Sequence, residues 1–271
     1  MRSAKEHTVD GKIIKLLESM GAGDEVLALT KLLLEDNETQ AIQEYANNVS
    51  IMRLGFNDHG PVHMRTVVLN AVTMMGLLKE AGIKTSLETE GCGGLNESLM
   101  AVILAAMFHD FGMSIGRQDH ELHSAYMSYP VMDRVLTQII PGSMSRRVMI
   151  RSLALEGIAG HMGTHSIHSL EAGVIQIADG CDMTKGRARI PIALHNSPRA
   201  GSIHQFSAES IEEVKIARGE IKPIRIDVCM SSKVGLFQVE EVLLNKIAAS
   251  TTKSHIELYA KVKDDAPLCY L

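Results

Sequence analysis

The sequence predicts a mainly α protein that closes with a small α+β appendage. Three observations predict it. Apolar residues recur at helical spacing through the first 183 positions. Gly and Pro divide that stretch into segments of helix length. Strict apolar-polar alternation begins only after residue 220.

Each element follows in turn. Over 9–50, Ile13, Ile14, Leu16, Leu17 and Met20, then Val26, Leu27, Leu29, Leu32, Leu33 and Leu34, keep helical spacing. The pattern breaks at Gly21-Ala22-Gly23, where Asp24 is the expected cap of the second helix. Further helices are predicted over 61–80, 96–110, 119–139, 144–159 and 169–183. Pro61 suits a first helical position, and Asn96 is the expected cap after Gly91-Cys92-Gly93-Gly94. Residues 187–205 are polar, hold Pro191 and Pro198, and read as a connector. Residues 222–230 and 255–262 alternate as strands, with a helix over 239–249 between them. Strand, helix, strand requires a crossover. The expected organisation is an N-terminal helical segment (1–50), a helical domain (51–200) and a small α+β module (201–271). Two strands and one helix must dock on the helical core or on a second copy of the chain, which would make a homodimer. The module is expected to serve association or regulation more than chemistry.

Composition narrows the function classes. A net charge of −5 argues against a broad electrostatic footprint for nucleic acid. The four cysteines are far apart without Cys-x-x-Cys spacing, and read as reduced thiols of a cytoplasmic protein. Residues 1–7 lack the apolar core of a signal peptide. The longest apolar run, 99–108, is shorter than the roughly 20 residues a membrane span needs. A membrane partner is therefore not expected.

The adjacent pair His109-Asp110 ends that apolar run. A carboxylate carried inward by Phe108 and the alanines before it must be paired, hydrogen-bonded or metal-bound. Imidazole and carboxylate together suit zinc, iron or manganese. A salt-bridged Asp at a helix end, with His109 at the rim, is the plain alternative. Of 12 histidines, eight fall between 59 and 168. His63 would project from the first turn behind Pro61. His120 and His123 share a helix face, as would His161, His165 and His168 if Gly160 and Gly163 allowed a regular helix. Asp179 closes another apolar run.

In this order the residues resemble the HD superfamily of metal-dependent phosphohydrolases, over roughly 50–190. The resemblance implies an HD-type helical bundle. It matches His63 to the family's His at a helix start, His109-Asp110 to its His-Asp pair, and Asp179 to its late Asp. The two-metal subset adds two histidines, best matched by His120 and His161. The chain departs from the cyclic-dinucleotide branch: Phe111-Gly112-Met113-Ser114-Ile115-Gly116-Arg117 replaces the lysine that often follows the pair, and the Gly-Tyr-Pro motif is absent.

The resemblance implies two divalent transition metals (Fe, Mn or Zn). Asp110 is expected to bridge them as the catalytic carboxylate. His63, His109 and Asp179 complete one site; His120 and His161 complete the other. His59 is an extra-ligand candidate, whereas His123, His165 and His168 read as hydrogen-bonded helix histidines. Asp182 shares a helix face with Asp179 and is placed to orient a ligand or pair with Arg187. Phosphate needs cationic donors, for which Arg117, Lys185 and Arg187 are the candidates, with Arg65 and Arg189 near other ligand positions. The expected activity is hydrolysis of a phosphate ester of a nucleotide or other small phosphorylated compound by a metal-activated water. A metal-bearing sensory or scaffolding protein, and a di-iron oxygenase with similar ligands, are the alternatives.

Overall fold

The computed structural model describes residues 2–184 and 203–271. Among the described residues nine α-helices come first: α1 (Ala4–Ser19), α2 (Asp24–Glu35), α3 (Asn37–Asn48), α4 (Pro61–Glu80), α5 (Ser86–Glu90), α6 (Leu95–Phe108), α7 (His120–Ile139), α8 (Met144–Gly160) and α9 (Leu170–Gly180). The mainly α class is thus observed, and the boundaries of α4, α7, α8 and α9 fall close to those the apolar spacing predicts.

Helix α6 is the axis of the bundle. Every side chain from Ser98 to Phe108 is buried, so the helix is apolar all round, as a helix must be when neighbours cover every face. Helices α2, α4, α8 and α9 pack around it. Its N-terminus is capped differently from the expectation. The Glu97 carboxylate accepts from the Gly94 amide at 3.0 Å, while Asn96 Oδ1 accepts from the Gly23 amide at 3.0 Å. Asn96 therefore ties the α1–α2 turn to α6 rather than capping its own helix. Asp24 likewise stands inside the first turn of α2, with Gly23 at the cap position.

Arg65 on α4 is fully buried among the N-terminal helices. Its guanidinium donates to Asp10 at 2.8 Å, to the Leu34 carbonyl at 3.2 Å and to Gln40 at 3.1 Å. The cationic candidate Arg65 is therefore spent on structure and holds α1 and α2 to α4.

The joint between α2 and α3 is Asp36. Its carboxylate caps α3 by accepting from the Thr39 amide at 2.8 Å and pairs with Arg134 at 2.9 Å. Burial raises the Asp36 carboxyl, but Arg134 and the Thr39 amide outweigh it and hold it below the usual range. A depressed folded-state value means the stabilisation is present above the unfolded pKa and fades as pH falls through the folded one. Asp36→Ala is expected to cost about 1 kcal/mol at neutral pH, the usual worth of a cap. That gap should shrink below about pH 4. Urea midpoints of both proteins at pH 7 and pH 3 check it; an equal gap at both would remove the carboxylate from the account.

After the undescribed segment come α10 (Ile203–Ser210), β1 (Ile211–Arg218), β2 (Ile224–Met230), α11 (Leu244–Ala249), β3 (Ile256–Val262) and the short β4 (Leu268–Cys269). The sheet order is β1-β2-β3-β4, with β2 and β3 parallel and both outer pairs antiparallel. The expected crossover is present: one wide helical turn, Gln238–Leu243, runs into α11 and joins β2 to β3. Ile224 pairs with Ile256 and Ile226 with Leu258, so the two apolar stripes point the same way and are buried together. Strand β1 goes unread in the sequence because it is an edge strand. Its bulge between Ile211 and Glu213 puts Glu212 and Glu213 side by side in solvent and breaks the alternation. The sheet lies against α4, and α11 against α9. The buried apolar residues of both regions form one cluster, from Val9 to Ala260. Among the described residues, no helix is long and apolar enough to cross a membrane.

Candidate metal centre

Five helices and the turn after α6 deliver six side chains to one point. His63 comes from the first turn of α4, and His109 caps the C-terminus of α6 with Asp110 next to it. His120 opens α7, His161 caps α8, and Asp179 lies in the last turn of α9. All four rings are buried, as is Asp110.

The two oxygens of Asp110 face different partners. Oδ2 lies 3.3 Å from His63 Nε2 and 3.4 Å from His109 Nε2. Oδ1 lies 3.2 Å from His120 Nε2 and 3.6 Å from His161 Nε2. Asp179 Oδ1 joins the first set, 3.4 Å from His63 Nε2 and 3.7 Å from His109 Nε2. Within each set the two imidazole Nε2 atoms are 3.2 Å apart.

The outer nitrogens set what the inner ones can offer a cation. His109, His120 and His161 turn Nδ1 to the carbonyls of Ala106, Arg117 and Ile158, at 2.9, 3.0 and 2.7 Å. A carbonyl only accepts, so each Nδ1 carries a proton, and each ring in its neutral form would present the Nε2 lone pair inward. His63 turns Nδ1 to Asp182 Oδ2 at 2.7 Å, so Asp182 orients a ring. Imidazole nitrogens and carboxylate oxygens thus converge on one another, and with the rings neutral they offer a cation a set of donors. The donor set fits divalent transition metals. Among the described residues, three overlapping groups could hold an ion: His63 with His109 and Asp110, Asp110 with His120 and His161, and His109 with His161 and Asp179.

The electrostatics suit ligation. Burial raises Asp110, but His109 and His59 outweigh it and hold it well below the carboxylate range. Burial also raises Asp179, and Lys246 with His109 and His63 reverses that. Burial, with His109 and His120 nearby, lowers His161 to about 4. At neutral pH the carboxylates are anionic and His161 is a neutral donor.

The centre opens into a cleft of about 130 Å³, whose walls include Asn57, His59, Arg117, Met162, Gln238 and Lys246. Arg117 stands there as expected, with a guanidinium nitrogen 3.5 Å from His120 Nε2. His59 binds Ser50 Oγ at 2.8 Å through Nδ1, its ring 5.9 Å from that of His63. Lys185, Arg187 and Arg189 lie outside the described residues. Helix α8 stops at Gly160, so the turn that follows carries His165 and His168 away from His161; both are exposed. His123 is half-buried on α7 and is in none of the three groups.

The appendage, expected to serve association or regulation more than chemistry, also walls the cleft with Gln238, Val242 and Lys246. These residues recur every four positions along one helical face. Sequence reading overlooked Lys246, although a lysine among Val239, Val242, Leu243 and Ile247 interrupts an apolar stripe and was a usable signal.

No protein-family model matches the chain, and no solved structure matches it. It is 36% identical over 236 residues to the uncharacterized protein MJ1020 of Methanocaldococcus jannaschii, an alignment covering 87% of this chain and 89% of that protein. The chain belongs to the same family as this archaeal protein.

Proposed function

We propose that the protein is a two-metal phosphohydrolase of the HD type, acting on a phosphate ester of a nucleotide or another small phosphorylated compound. One observation carries the reading: Asp110 offers one oxygen to the His63–His109 pair and the other to the His120–His161 pair. His63, His109, Asp179 and Asp110 Oδ2 would hold one ion; His120, His161 and Asp110 Oδ1 the other. Bound there, divalent iron, manganese or zinc lowers the pKa of a coordinated water and neutralises phosphate charge.

The chain's own groups do the rest. Asp110 keeps the two sets in register. Asp182 and the carbonyls of Ala106, Arg117 and Ile158 lock the ring orientations. Arg117 offers a phosphate oxygen a cationic donor at the cleft wall, and Lys185 and Arg187 are proposed for the same task. Met162, Met183 and Val242 on the walls limit water. The small cleft suits a phosphoryl group, with the remainder of the ester at its mouth.

Metal-stripped protein reloaded with Mn²⁺ or Fe²⁺ is expected to release phosphate or nitrophenol from p-nitrophenyl phosphate, its bis ester or nucleoside phosphates. Fully loaded protein inert toward all of them would overturn the activity. His120→Ala is expected to lower the metal content from two ions per chain to one, by elemental analysis. A wild-type content of one that His120→Ala leaves unchanged would rule out the second site.

A further inference from the structure

We infer that Lys246 is a positioning residue of the metal centre, and that it makes the C-terminal module a built part of that centre. Lys246 projects from α11 and is buried. Its ammonium donates to Asp179 Oδ2 at 2.5 Å and to the carbonyl of His161 at 2.9 Å. Engaging Oδ2 leaves Oδ1 turned toward His63 and His109. Holding the His161 carbonyl fixes the end of α8, from which the His161 ring enters the other set. One ammonium therefore supports one ligand of each set. Burying a lysine is costly without an anionic partner, which Asp179 supplies.

The seat for α11 is built into α9. Gly173 and Gly180 lie two turns apart on one face. A Cβ at Gly180 would stand 3.1 Å from the Leu243 and Lys246 side chains, and one at Gly173 2.4 to 2.7 Å from the hydroxyls of residues 250–252. Those hydroxyls bind helix α9 directly: Ser250 donates to the Gly173 carbonyl at 3.0 Å, Thr251 to Ser169 at 2.6 Å and Thr252 to Leu170 at 3.0 Å. The module thus grips the metal-bearing helix at its N-terminal half by hydroxyls and at its C-terminal end by Lys246.

This inference rests on the metal-centre reading, not on the reaction. Two influences of Lys246 oppose each other: the ammonium repels metal ions, and its grip orients their ligands. Groups that support metal ligands are worth about 10- to 100-fold in affinity, and orientation is taken to win. The test is Mn²⁺ and Zn²⁺ titration of the full chain, wild type against Lys246→Met and Lys246→Arg, with the metal-free thermal midpoint of each. Lys246→Met is expected to remain folded with a lowered metal-free midpoint and to bind about 10- to 100-fold more weakly, and Lys246→Arg to recover most of the binding loss. Equal or tighter binding by a folded Lys246→Met overturns the inference. If that variant does not fold, hydrogen exchange of the wild type decides: metal should slow exchange of the 244–249 amides, and no change there overturns the coupling. A wild type that binds neither metal would sink the metal-centre reading itself, a failure distinct from the others.

Discussion

Asp110→Asn is expected to lose both metal ions, not one. Each carboxylate oxygen of Asp110 serves a different histidine pair, so one substitution removes a ligand and its negative charge from both sites. The loss in affinity should go well beyond the about 100-fold that a supporting residue costs, and metal-dependent turnover should vanish with it. His120→Ala, by contrast, removes a ligand of one site only, so the pair of variants separates a bridging role from a single-site role. Metal-free Asp110→Asn should also be less stable than metal-free wild type at neutral pH, because the folded state holds the Asp110 carboxyl well below its usual range and so favours its charged form. Elemental analysis after gel filtration, with thermal midpoints of the metal-free proteins, checks both parts. Retention of two ions by Asp110→Asn would remove it from the centre.

The second large effect is expected at Gly112, in the 3₁₀ turn Phe111–Ser114 that follows the His-Asp pair. A Cβ there would lie 2.1 Å from the backbone carbonyl of His120, and 2.8 Å from both the His123 Cβ and the Ser124 amide. These neighbours include main chain at the start of α7, which a rotamer change cannot move. The turn is also bonded to that helix, through the Gly112 amide donating to Ser124 Oγ at 2.8 Å. Gly112→Ala is therefore expected to push α7 away from α6, costing about 3 kcal/mol, at the upper end of ordinary overpacking. His120 moves with α7, so metal at the His120–His161 set should weaken more than at the His63–His109 set. Denaturant unfolding and metal titration measure the two effects. A variant with wild-type stability would show that the turn shifts freely.

Much of the candidate site was legible because its residues sit where helices end. Pro61 marks the start of α4 two residues before His63, and the apolar run of α6 stops at His109-Asp110. The glycines after Ile158 signal the end of α8, where His161 stands while His165 and His168 fall outside. Arg65 illustrates the opposite case. It lies two residues from a ligand, yet its side chain leaves on another face of α4 and is consumed by Asp10, a residue 55 positions away. Lys246 is the same problem reversed, since its partner Asp179 is 67 positions distant.

Local pattern alone carried the helical class, most helix boundaries, the crossover in the appendage and the order of six candidate ligand residues along the chain. Those properties follow from local periodicity, caps and breakers, which neighbouring residues encode. Long-range packing sets which oxygen of Asp110 meets which histidines, that Asp182 orients His63, and that the appendage reaches the centre through Lys246. Each of these depends on how helices far apart in the chain cross and close on one another. That is set by the packing of buried side chains in the shared core, which no stretch of sequence specifies alone.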